Sequence, residues 1–134
     1  PDRPKALAEI RRVLKEDGFL LAATNGDHHL AEINIWMKRI SPNNNFIPFG
    51  NPFTLENGVA QLEPFFSQIE IHRYKDNVHI TEIDPLIAYI NSTIKIDEIA
   101  PEKLANLRQE FEEILAEKGE LFVGKDFGAF IAKK

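Results

Sequence analysis

The stretch RRVLKEDGFLLAATNGDHH, residues 11–29, contains the change of pattern that decides the fold. Its first part continues an apolar pattern at helical spacing, which predicts a helix over residues 3–16 that stops before Gly18. Phe19–Ala23 is then apolar at every position, which is typical of a strand covered on both faces in a parallel or mixed sheet. Thr24–Asp27 ends this strand with turn-forming residues. A helix, a short turn and a buried strand in this order predict an α/β fold.

Further helical and extended patterns follow along the chain. Residues 69–81 alternate apolar and polar side chains, and predict a strand interrupted by a turn at Asp76–Asn77. Helical spacing dominates from about residue 82 to 119, and residues 121–132 predict a last strand or a pair of strands. The loop over residues 42–52 is rich in Asn, Pro and Gly, and is a candidate lid or binding loop. The pattern has too few strands for a complete doubly wound sheet.

Composition limits the classes of function. The 134 residues carry a net charge of −5 and are 43% hydrophobic, as expected of a folded domain without an extended basic surface for nucleic acid. The chain has no cysteine, which excludes disulfides, thiolate zinc sites and cysteine nucleophiles. No apolar run approaches the roughly 20 residues that span a bilayer, and no secretory signal is visible. We therefore expect a cytoplasmic protein that does not enter a membrane.

Several segments resemble class I S-adenosylmethionine-dependent methyltransferases of the type 11/12-like kind. RVLKEDG, residues 12–18, is similar to the RVLKPGG that precedes the fifth strand of the family, and PDRPKALAEI, residues 1–10, resembles the segment after its fourth strand. LEPFFSQIEIHRYKDNVHIT, residues 62–81, is similar to the sixth strand, and DPLIAYINST, residues 84–93, to the helix after it in one bacterial branch. LFVGKDFGAFIAKK, residues 121–134, resembles the seventh strand. The segments follow the family's order and cover nearly the whole chain.

The resemblance implies the C-terminal half of a Rossmann-like methyltransferase fold. Residues 1–134 would form a single incomplete domain of about three mixed strands, ordered five, seven and six, with several helices and a helical insert at about 82–119. Strand seven would run antiparallel between the other two. The family binds S-adenosylmethionine through a glycine-rich turn, whereas the seven glycines of this chain form no G-x-G array. We therefore expect a fragment of an enzyme that has no cofactor-binding residues and is inactive alone, as the start at Pro1 inside a helical pattern also indicates.

The family's loop after strand five borders the substrate pocket, which makes Asn25, His28 and His29 substrate-pocket candidates. They would hydrogen-bond a small-molecule or RNA acceptor, or one histidine would act as a general base. No residue is assigned as catalytic. A solvated turn explains Asp27–His29 better than a metal site, because adjacent histidines do not share a helix face. Trp36 packs in the core or against a loop, or forms a wall of the same pocket.

The resemblance also predicts a free sheet edge. The family's strand five pairs with a strand four that this chain lacks, so residues 19–24 are expected at an exposed, apolar edge. Such an edge favours pairing with another chain, which predicts self-association as a dimer or a domain-swapped form. The alternative function is a non-catalytic α/β module that binds a partner through this edge.

Overall fold

The structure, a computed structural model, describes residues 2–42, 52–93 and 99–134. These residues form a mixed α/β arrangement of helices and one three-stranded antiparallel sheet. The candidate lid loop at 42–52 falls mostly outside the described residues. Within them, no helix has both the length and the apolar character needed to cross a membrane. In chain order the elements are α1 (Arg3–Val13), β1 (Phe19–Asn25), α2 (Ala31–Ile40), α3 (Gly58–Leu62), β2 (Gln68–Ile80), α4 (Ile83–Thr93), α5 (Pro101–Lys118) and β3 (Leu121–Lys133).

The last strand lies in the middle of the sheet, whose order is β1-β3-β2. β1 pairs antiparallel with β3 from Phe19 opposite Lys133 to Asn25 opposite Phe127. On the other side of β3, the Ser67 N–H donates to the Lys133 carbonyl over 2.9 Å just before β2 begins. The expected order of first, last and second strand is therefore observed. β3 runs opposite to both of its neighbours, as the resemblance implies for strand seven, so the described sheet is antiparallel and has no parallel pair of neighbouring strands.

The chain divides into two compact units. The first unit comprises residues 2–29, 52–75 and 126–134, and the second comprises residues 30–42, 76–93 and 99–125. Each unit has a hydrophobic cluster of its own. The helices expected at about 82–119 are α4 and α5, which belong to the second unit.

In the first unit, α1 and α3 pack against one face of the sheet. The buried cluster joins Leu7 of α1 and Leu62 of α3 to Phe130 of β3. On the other face, the side chains of Phe19 and Leu21 are 57% and 62% exposed. The expectation that β1 is covered on both faces is therefore wrong for the described residues, where burial alternates along the strand.

Local hydrogen bonds explain where α1 begins and ends. The Asp2 side chain accepts from the Lys5 N–H over 3.0 Å and so caps the start of the helix. The helix ends at Val13 rather than at residue 16, because Leu14 adopts an extended conformation. The Gly18 N–H then donates to the Lys15 carbonyl over 2.9 Å, and this turn leads into β1.

In the second unit, α2, α4 and α5 enclose the core with the adjoining parts of β2 and β3. Its fully buried side chains include Ile90, Phe111 and Val123. α5 ends at Lys118, and Gly119 follows with φ 80°, in the left-handed region that glycine adopts without strain.

β2 and β3 are continuous strands of 13 residues each. The sequence predicts a turn within β2, and for residues 121–132 the structure selects the single strand of the two alternatives. The turn predicted at Asp76–Asn77 is wrong. Lys125 Nζ lies 2.6 Å from Asp76 Oδ2, so a residue of the predicted turn forms an ion pair with the neighbouring strand. Strand pairing thus overrides a local preference for turns, as it does when partners are available along a ladder.

Candidate functional site at the carboxyl end of β1

The residues after β1 are tied to the middle strand by their backbone. The Gly26 N–H donates to the Asp126 carbonyl over 2.9 Å, and the Asp126 N–H donates to His29 Nδ1 over 3.0 Å. A backbone N–H can only donate, so Nδ1 of His29 carries no proton and the neutral ring is protonated at Nε2. In this arrangement His29 has no free lone pair, and it acts as an acceptor that holds the turn rather than as a general base.

An ion-pair cluster lies beside this turn. Arg73 of β2 donates from Nε to Asp126 Oδ1 over 2.7 Å, and from Nη2 to both Asp126 Oδ2 and Glu56. The Glu56 Oε1 atom accepts over 2.6 Å, and its second oxygen accepts from the Asp27 N–H over 2.9 Å. Asp126 is buried, so this two-pronged contact compensates the cost of removing its charge from water. The cluster therefore links β2, β3 and the turn after β1.

These contacts shift the pKa values of all three side chains. The Arg73 hydrogen bonds hold the pKa of Asp126 below its ordinary value, and the same bonds raise the pKa of the Arg73 guanidinium. Burial opposes ionisation of Glu56, but hydrogen bonds from backbone N–H groups and from Arg73 outweigh it, so the pKa of Glu56 is also lowered. At neutral pH the cluster consists of two carboxylates and one guanidinium.

Gly26 allows the turn to approach this cluster. A Cβ at this position would overlap Asp126 Oδ2 and lie 2.9 Å from Arg73 Nη2. The φ angle of Gly26 is not positive, so the requirement is for space and not for a left-handed backbone. A residue with a side chain would push the turn away from Asp126.

An open cleft of about 530 Å³ adjoins the turn. Asn25 is exposed at its edge, and Phe127 lies opposite Asn25 on β3. The Phe127 ring contacts two further rings, those of Tyr74 at 5.2 Å and His29 at 6.3 Å between centroids. Such a surface can stack a flat ligand while Asn25 hydrogen-bonds it. The cleft is lined by Ala23, Thr24, Asn25, Phe53, Phe127 and Gly128.

The structure brings three of the four predicted site residues together. Asn25, His28 and His29 belong to the first unit, where His28 is exposed and its positive form would help to lower the pKa of Asp126. Trp36 belongs to the second unit and packs edge-on against Phe111, with 4.7 Å between ring centroids. This is the core position that the sequence offers as one alternative for Trp36.

Sequence reasoning missed Arg73, Glu56 and Asp126. Asp126 stands in a Gly-Lys-Asp run that is typical of a turn, and Arg73 occupies an ordinary polar position of a strand. Arg73 is 17 residues from Glu56 and 53 residues from Asp126 along the chain, so no local spacing indicates that these side chains form ion pairs. Among the described residues, no group of three or more His, Asp or Glu side chains is placed to hold a metal ion.

Gly26→Ala tests the close approach of the turn. We expect the variant to lose about 1–3 kcal/mol of unfolding free energy, because the added methyl group would overlap the Asp126 carboxylate. Urea unfolding followed by circular dichroism measures the loss. Gly124→Ala is the control, since its Cβ would meet only the Glu32 carboxylate at 3.7 Å, and a change within about 0.5 kcal/mol is expected. Equal stability of both variants would contradict the packing described.

Acid is expected to destabilise the protein through Asp126. Its pKa is lower in the folded protein than in the unfolded chain, so its ionised form stabilises the fold fully above the unfolded pKa of about 4. This stabilisation is lost as the pH falls through the lower, folded pKa. Urea midpoints measured from about pH 6 to pH 3 should fall, and Asp126→Asn should lower the midpoint at pH 6 and weaken its dependence on pH. An unchanged dependence in the variant would exclude Asp126 as a source.

Comparison with known proteins supplies no family. No protein-family model matches the chain, and no curated protein is significantly similar to it. The site and the sheet topology are therefore the basis for proposing a function.

Proposed function

We propose that this chain is the C-terminal part of an S-adenosylmethionine-dependent methyltransferase that acts on a small-molecule or RNA acceptor. The observation that carries the proposal is the sheet order β1-β3-β2, with the last strand antiparallel in the middle. It is the order that the sequence resemblance implies for strands five, seven and six. The order of elements at the start of the chain also agrees with the resemblance: α1 leads into β1, and a polar turn that reaches His29 follows.

The residues present do not fit the cofactor. The cleft at the end of β1 has no carboxylate in its lining that could bind ribose hydroxyls, and the chain contains no G-x-G turn. We therefore assign no step of cofactor chemistry to this chain and place the cofactor site in a part of the enzyme outside it. The contribution of this chain is to bind and orient the acceptor, which is a large part of the catalysis of a transfer reaction.

Within this proposal Asn25 and His28 contact the acceptor. Asn25 is exposed at the cleft, and its amide can both donate and accept. His28 is exposed on the same turn, and its ring can accept a proton from the acceptor as a general base. His29 and the Arg73–Asp126 pair hold the turn in place and are positioning residues.

The decisive experiment uses the whole reading frame that encodes this chain. We expect its product to bind S-adenosylmethionine in isothermal titration calorimetry, while residues 1–134 alone do not. With methyl-labelled cofactor, we expect label to enter either the small-molecule or the RNA fraction of a cell extract. Failure of the whole product to bind the cofactor would overturn the proposed function.

The double variant Asn25→Ala, His28→Ala of the whole protein tests the acceptor site. We expect label transfer to fall by about tenfold or more with unchanged affinity for S-adenosylmethionine, because orientation of the acceptor would be lost. Lys103→Ala, an exposed change on α5, is the control and should leave transfer unchanged. Unchanged transfer in the double variant would remove the two residues from the site without removing the methyltransferase function.

A second candidate function is a non-catalytic module that binds a second copy of this chain through β1. One observation favours it: β1 has β3 as its single strand neighbour in the described sheet, and Phe19 and Leu21 remain largely exposed. Unpaired strand edges with exposed apolar side chains are ready sites for strand addition. Such pairing would be concentration-dependent and would not require the cofactor.

Leu21→Lys tests this candidate. A charge at the exposed edge opposes strand addition, so we expect the variant to sediment as a monomer at concentrations where the unchanged chain forms a dimer. Analytical ultracentrifugation of residues 1–134 makes the measurement. Ile35→Lys changes an equally exposed residue of α2 and should not affect association. A monomeric unchanged chain at high concentration would exclude self-association through this edge.

A further inference from the structure

The second unit contains an apolar cavity of about 520 Å³. Its walls come from the start of α2, the end of β2 and the first turns of α4. The volume lies within the range of small-molecule sites in proteins, and most of the lining is aliphatic or aromatic. The cavity is lined by Leu30, Ile33, Val78, His79, Ile80, Thr81, Glu82, Pro85, Leu86 and Tyr89.

The charge of this lining favours a cation. Glu82 has no hydrogen-bond or ion-pair partner among the residues that the structure describes, and no lysine or arginine is part of the lining. His79 is already engaged, since its Nδ1 lies 2.9 Å from Glu120 Oε2 and its ring packs against Phe122. Glu82 is exposed, so its carboxylate offers an accessible negative charge at the rim of a mostly apolar lining, where an ammonium group can reach it.

The Tyr89 ring adds a second preference for a cation. Its side chain is 45% exposed at the cavity, although the residue lies on a helix whose neighbouring positions Leu86 and Ile90 are buried. The face of an aromatic ring attracts an ammonium group through its quadrupole. Glu82 and Tyr89 thus present complementary groups to the same class of ligand.

The backbone at Leu30 is held in an unfavourable conformation at this cavity. Leu30 has φ 54°, which is left-handed and rarely adopted by a leucine. A hydrogen bond from its N–H to the Gly124 carbonyl, 2.8 Å long, keeps it there at the start of α2. Conformations of this kind persist where the surrounding structure imposes them, and they concentrate at binding sites. The strained residue places its side chain in the cavity wall.

We propose that this cavity binds a small molecule with an apolar body and a protonated amine. The amine lies at Glu82 and Tyr89, and the apolar body fills the space between Leu30, Ile33 and Leu86. The inference uses residues of the second unit alone, so it does not depend on the proposed methyltransferase function.

The test is a titration of ¹⁵N-labelled protein with phenethylamine, followed by heteronuclear NMR at pH 7. We expect saturable shifts of the amides of residues 78–89. Two analogues that keep the phenethyl group separate the contributions: 2-phenylethanol, which has the same number of heavy atoms and no charge, and 3-phenylpropionate, which is slightly larger and carries a negative charge. The alcohol should bind about fivefold more weakly than the amine, and the carboxylate more weakly still.

Glu82→Gln is the matched variant. It should lower the affinity for phenethylamine about fivefold and leave that for 2-phenylethanol unchanged. Glu117→Gln, an exposed change on α5 outside the lining, should alter neither affinity. Tyr89→Ala, at an exposed ring, gives a second variant that should weaken amine binding more than alcohol binding.

Two results would overturn the proposal. Absence of saturable binding by all three probes would exclude a ligand cavity of this class. Equal affinity for the amine and the alcohol, in the unchanged protein and in Glu82→Gln alike, would exclude the preference for an amine. Both readouts are independent of methyl transfer, so a negative result here leaves the proposed function as it stands.

Discussion

The pairing of β3 with both of its neighbours is the constraint on which the rest of the structure depends. β3 is the middle strand, and its 13 residues supply side chains to both hydrophobic clusters. Phe130 and Ala132 are buried in the first unit, and Leu121 and Val123 in the second. Because side chains alternate along a strand, a shift of register by one residue would remove all four from their clusters. The hydrophobic cluster of each unit therefore forms only when β3 pairs with its neighbouring strands in the correct register.

The same strand fixes the candidate site. Asp126 lies on β3. Its backbone forms hydrogen bonds with the turn after β1, and its carboxylate forms an ion pair with Arg73 of β2. These contacts position Asn25 and His28 without using their side chains, which remain exposed. A site built in this way separates the residues that hold the backbone from those that can contact a ligand. Preorganisation of this kind lowers the entropy that a ligand has to give up on binding.

Local features of the chain could be predicted from the sequence. Asp2 caps α1, Gly119 ends α5, and the stripe of Ile33, Met37 and Ile40 forms the buried face of α2. These features depend on residues a few positions apart, for which helical spacing and capping preferences are sufficient. The strand order followed from the resemblance and not from spacing.

Features that join distant segments could not be predicted in the same way. Asp76 and Lys125 each stand in a run of turn-forming residues, but they pair with one another across continuous strands. Arg73 meets Asp126 across 53 residues of sequence, and neither has a spacing that indicates a partner. The exposed face of β1 was missed for a related reason. A run such as Phe19–Ala23 indicates that apolar residues are present on both faces, but does not identify what covers each face.

The charges around the turn favour a small molecule over RNA as the ligand of the first unit. Arg73 is already bound by the carboxylates of Glu56 and Asp126, so its guanidinium is not available to another anion. RNA affinity depends on cations that are available to phosphate groups. A neutral small molecule would not need such a cation. Within the proposed function, the acceptor that best suits this surface is therefore a small molecule without phosphate.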